Sequence, residues 1–181
     1  MTTDQAPIEP DTKDWTWVLD ESCPECGYDA ASTRREDLAA AMREDAAHWS
    51  VALTDPRAAD RPAPGVWSPT EYACHVRDVH RVFATRLEQM LTEDDPVFAN
   101  WDQDETAVAE RYDLQAAADV LPELVEAAEA AARWYERVPD EGWARPGRRS
   151  NGSAFTVESL GRYQLHDLVH HRWDVRWLDP R

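Results

Sequence analysis

The strongest constraint on the fold is a helix start at Ser68. This residue type is a preferred N-cap, Pro69 suits the first helical position, and Glu71 completes a reciprocal capping box. From there Tyr72, Val76, Val79, Phe83, Leu87 and Met90 recur at i, i+3 or i+4, which predicts one amphipathic helix ending near Thr92. Three more helical segments are predicted. The first opens on a Thr33–Glu36 capping box and runs to about Leu53, before Asp55-Pro56. Another starts around Asp113 and carries Val120, Leu124, Ala127, Ala131 and Trp134 to Val138; Pro122 kinks it unless its true start is later. The last is capped by Thr156 and runs to about Leu178. With no β alternation and no repeat, these read as an all-α four-helix bundle over residues 32–181, preceded by a short extension, residues 1–31. The connection from Glu93 to Tyr112 is long enough for a crossover or a lid with a short helix.

Composition excludes several functions. The chain has 181 residues, 43% apolar, enough for one real core. No apolar run approaches the ~20 residues of a membrane span, and Met1 to Asp11 has neither the basic start nor the apolar stretch of a signal peptide. A cytoplasmic protein with no membrane partner is expected. A formal net charge of −17 opposes nucleic-acid binding, since the one dense basic cluster, Arg145 to Arg149, is short. That loop could at most clamp an anionic small molecule. Nine tryptophans suggest apolar area covered by a second copy, hence a homodimer through the first and second helices. Residues 1–13 lack periodicity and are expected to be disordered.

Six histidines and three cysteines carry the chemistry. His166 and His170 sit i, i+4 on the last helix, one turn apart on one face with Tyr163 and Trp173. Such a pair holds a cation or is merely polar. On the second helix His75 and His80 lie at opposite margins of the apolar stripe, and periodicity does not choose between them as a third ligand. His171 falls on another side of its helix. Cys74 reads as a small core residue. Cys23 and Cys26 bracket Pro24-Glu25, with three readings: half of a structural zinc site completed by Cys74, His48, His80, His171 or another subunit; a redox pair; or a plain turn. Asp102, in an acidic loop, and Tyr112 are candidates for positioning a substrate.

The run Gly65-Val66-Trp67-Ser68-Pro69-Thr70-Glu71-Tyr72-Ala73-Cys74-His75-Val76-Arg77-Asp78, with His166 and His170 near the end of the chain, resembles the DinB superfamily. Its relatives include the N-terminal domain of mycothiol-dependent maleylpyruvate isomerase and the bacillithiol and mycothiol S-transferases. The resemblance covers roughly residues 32–178. It implies a four-helix bundle, commonly homodimeric, holding a divalent metal through one residue of the second helix and two of the fourth. The Trp67-to-His75 interval favours His75, giving His75, His166 and His170 as the implied ligands of a zinc-, nickel- or iron-class ion. Isomerase relatives can carry Glu at one such position, whereas this triplet is all His. The implied activity is a metal-dependent thiol transferase acting on a small electrophile, with mycothiol as cosubstrate. The alternative is a non-enzymatic metal-binding or interaction protein whose Cys23/Cys26 segment holds a structural zinc or contacts a partner.

Overall fold

The computed structural model of the protein describes residues 8, 10 and 13–178. Most of the segment expected to be disordered, residues 1–13, lies outside the described residues. Five helices form: α1 (Leu38–Ala52), α2 (Pro69–Thr92), a short α3 (Gln103–Ala109), α4 (Ala117–Glu136) and α5 (Val157–Asp174). α1 and α2 each pack against both α4 and α5. Helices adjacent in sequence, α1 with α2 and α4 with α5, therefore face each other across the bundle diagonals. Each diagonal step needs a connection that crosses a bundle end, which accounts for the long loops flanking α2 and α4.

The predicted cap of α2 forms as read. Glu71 N donates to Ser68 Oγ at 3.3 Å and Ser68 N donates to Glu71 at 2.8 Å. Val76, Val79, Phe83, Leu87 and Met90 are buried in the core with Leu124, Ala128, Ala131 and Leu165. Thr156 and Ser159 make the same reciprocal box at the start of α5. Gly161 lies where a Cβ would come within 2.7 Å of Leu38 and 2.8 Å of Tyr135, so only glycine lets α5 approach α1 and α4 this closely.

Four expectations change. The Thr33 box does not form, because the Thr33 hydroxyl donates to the Asp29 carbonyl; α1 starts at Leu38 after a 3-10 turn. α4 starts at Ala117 rather than Asp113, which moves Pro122 toward the first turns. The carbonyl that its missing N–H would have engaged belongs to exposed Ala118 and meets solvent. α5 stops at Asp174, with a 3-10 turn following. Finally, a three-stranded sheet closes one bundle end: β1 (Val97–Phe98) runs parallel to β2 (Pro146–Arg149), which pairs antiparallel with β3 (Ala154–Thr156). Strands of two to four residues are too short to show alternation.

Three of the tryptophans are in the core and five are half-buried. Trp49, Trp67 and Trp143 are buried, and Trp177 alone of the nine is exposed. No helix among the described residues is long and apolar enough to cross a membrane.

Candidate metal centre

Two i, i+4 pairs interleave on α5. His166 and His170 form one; Asp167 and His171 form the other, rotated by about 100° because it starts one residue later. The two faces meet different neighbours, and this decides their chemistry.

The Asp167/His171 face looks at α2. His75 Nε2 lies 3.2 Å from Asp167 Oδ1, and His171 Nε2 lies 3.4 Å from the same oxygen. All three donor atoms lie within 4.8 Å of one another. Ligands about 2.1 Å from a shared ion stand roughly 3.0–3.4 Å apart at octahedral to tetrahedral angles, so the spacing fits a divalent cation. Two imidazoles and a carboxylate suit zinc or an iron-class ion alike. His171 Nδ1 contacts Asp174 at 2.9 Å, a carboxylate that aims its Nε2 at the cluster. His75 is fully buried, stacked on Trp101 at 5.3 Å and against Trp67 at 5.4 Å. Burial keeps it neutral by lowering its pKa. Burial also opposes charge on Asp167, but the His75 hydrogen bond and the neighbouring imidazoles outweigh it and hold the carboxyl at about 2. The cluster thus holds a carboxylate beside the uncharged His75 ring.

The His166/His170 face looks instead at the N-terminal segment. There the two rings join Cys23 and Cys26, and the four donor atoms lie within 4.8 Å of one another. The three histidines implied by the resemblance are therefore not brought together: His75 stands with Asp167 and His171, while His166 and His170 stand with the cysteines. Both pairs satisfy the same spacing, and only the packing of α5 distinguishes them.

Other singled-out residues find definite places. His80 is buried in the core, where Gln164 Nε2 donates to its Nδ1 at 3.2 Å, and burial pushes its pKa down to about 4. Cys74 is a core residue, its thiol raised to about 12 by burial. His48 is exposed on α1. Tyr112 is buried, its hydroxyl donating to Asp78 at 2.5 Å, and is not part of the cleft lining. Asp102 lines the cleft, but its carboxylate caps α3 by accepting from Asp104 N and Glu105 N.

The Asp167/His171 cluster opens into a cleft of about 670 Å³. α3 and Trp101 form one wall, Trp67 and Tyr72 another, and Asp14, Trp15 and Glu25 of the extension a third. Arg149 enters from β2, packed over Phe155 and Tyr163 at 5.2 and 5.0 Å. Its Nε and Nη2 find no hydrogen-bond partner among the described residues. The cleft thus carries a guanidinium on its wall beside the donor cluster. Sequence reading reached this arginine only as part of a basic loop.

A match to the DinB superfamily extends over residues 39–175, most of the chain. The chain belongs to the DinB superfamily. Among solved structures it is similar to YfiT from Bacillus subtilis, described as a probable metal-dependent hydrolase with an unusual four-helix bundle topology. The TM-score is 0.69 at 19% identity, covering 79% of this chain and 86% of that one, a likeness of fold. No curated protein sequence matches significantly. Within the superfamily pattern of one ligand from the second long helix and two from the last, His75, Asp167 and His171 fit, with a carboxylate in one position.

Proposed function

We propose that this DinB-superfamily chain is a metal-dependent enzyme that binds one divalent cation through His75, Asp167 and His171 and joins a low-molecular-weight thiol of the mycothiol type to a small electrophile. The observation that carries the reading is the convergence of three donors at 3.2 and 3.4 Å, of which Asp167 and His171 line an open cleft and His75 is buried behind them. A metal here supplies one kind of chemistry: it favours the thiolate form of a bound thiol at neutral pH. The residues around it do the rest. Asp174 holds His171 in orientation. Trp67, Trp101 and Tyr72 give the electrophile an apolar wall, and Arg149 places a positive charge on the cleft wall for an anionic group on either substrate. Asn100, Asn151 and Ser153 suit a polar, hydroxyl-rich thiol. A cleft of this size supports catalysis over a purely structural metal role. The hydrolase activity named for YfiT would use the same ligands with water in place of the thiol.

Calorimetric titration of the zinc-loaded protein with mycothiol tests the reading. Saturable binding is expected, lost after chelation and in Asp167→Asn. Failure of the thiol to bind while metal occupies the site would overturn the transferase reading.

A further inference from the structure

The cysteine pair of the N-terminal segment has no part in the cleft chemistry, yet it lies against the most buried histidine pair of α5. We infer that Cys23, Cys26, His166 and His170 form a second, closed metal site, a structural zinc that staples the extension to α5.

The geometry is that of four donors around one ion. Cys23 Sγ lies 3.7 Å from His170 Nδ1. A tetrahedral zinc with Zn–S near 2.3 Å and Zn–N near 2.05 Å places such a pair about 3.6 Å apart. The turn between the cysteines is built to aim both thiols one way. Gly27 N donates to the Cys23 carbonyl at 2.9 Å and Cys23 N to the Tyr28 carbonyl at 2.8 Å, while Gly27 takes φ +74°, a conformation other residues rarely adopt. Glu25, inside the same turn, reaches His170 Nε2 at 3.3 Å. A carboxylate on the outer nitrogen fixes the ring so that Nδ1 faces the sulfur, the arrangement that supports a metal-bound histidine.

A second observation is independent of the turn. His166 is buried, and its Nε2 has no hydrogen-bond partner among the described residues. A buried ring nitrogen without a partner is costly, and coordination removes that cost. Trp15 packs on both rings at 5.5 and 5.0 Å, Tyr28 on His166 at 5.6 Å and Trp173 on His170 at 5.7 Å. His166 and His170 also line the cleft, so what separates the two sites is ligand number: four protein donors complete a tetrahedral shell and leave no position for a substrate. Zinc binding replaces two thiol protons and no redox partner is needed. The site would also set the rotation of α5, because His166 and His170 immediately precede Asp167 and His171.

Elemental analysis after zinc loading and removal of loosely held metal tests the inference. Two ions per chain are expected in the wild type, one in Cys23→Ser/Cys26→Ser and one in Asp167→Asn. Retention of the wild-type zinc content by the cysteine variant would overturn the site. Should that variant fail to fold, cobalt(II) added to metal-free wild-type protein decides. An intense near-ultraviolet thiolate-to-cobalt band at one equivalent supports the site, and its absence overturns it. The outcome does not depend on the thiol-transferase reading, since Asp167→Asn keeps both the band and the second ion.

Discussion

The two donor clusters of α5 differ by one residue in register and in the partners they meet, although members of both line one cleft. Asp167 and His171 line a cleft with His75 buried behind them, and the cluster combines imidazoles with a carboxylate. Cys23, Cys26, His166 and His170 stand under an aromatic cover and combine imidazoles with thiols. Three protein ligands leave a position open for reaction; four complete a tetrahedral shell and suit scaffolding. A single helix thus carries both faces, about 100° apart, and the N-terminal extension decides which face is closed.

The largest effect that would break this division is on the open face. Asp167→Asn removes the anionic ligand while keeping its shape, and activity is expected to fall by about 10³-fold or more. Thermal unfolding should move little. Loss of folding along with activity would show that this cluster is structural too.

The closed face should answer in the opposite way. Cys23→Ser/Cys26→Ser is expected to cost several kcal/mol, lowering Tm by roughly 10 °C, since structural zinc contributes directly to folding. Activity at low temperature should be affected less than by Asp167→Asn. Differential scanning calorimetry beside a turnover assay separates the two.

A smaller change sharpens the open site. Asp174→Asn keeps a side chain against His171 but removes the charge that orients it, and metal affinity there should drop about 10- to 100-fold. Competition with a chelator measures this. The closed site should be untouched.

The smallest effect is a control away from both sites. Asp45 on α1 is buried, its pKa raised to about 6 by burial, with Oδ1 lacking a hydrogen bond and Arg172 of α5 3.7 Å away. A folded pKa above the ordinary 3.8 means the contribution to stability is present below about 3.8 and lost as pH rises through 6. Asp45→Asn should therefore stabilise by about 1–2 kcal/mol at pH 8 and by nearly nothing at pH 3.5, read from denaturant unfolding at each pH. A gain equal at both would contradict the assignment.

Much of the bundle was legible because local signals determined it. The Ser68 box needed only four residues, Thr156 was readable as a cap though not its reciprocal bond with Ser159, and the α2 stripe announced its buried face. The start of α4 was not legible, because Asp113 and Ala117 both precede a helix-compatible run. The sheet was invisible because its short strands are held by pairing between distant segments. In the site, the helix pair and His75 could be named, but the choice between the 166/170 and 167/171 registers is made by which neighbour each face of α5 meets. The partners of Cys23 and Cys26 lay about 140 residues away, beyond any local spacing rule. His80 and Tyr112 likewise owe their inert roles to Gln164 and Asp78, which only the packed fold brings near.

The most direct test loads cobalt(II) to saturation into two single variants, His75→Ala and His166→Ala. Two separate sites predict that His75→Ala keeps the thiolate-to-cobalt band and loses one ion per chain from the cleft. His166→Ala should lose or strongly shift the band and leave the cleft ion in place. Removal of the same single ion by both substitutions would contradict two sites and return His75, His166 and His170 to one shared centre.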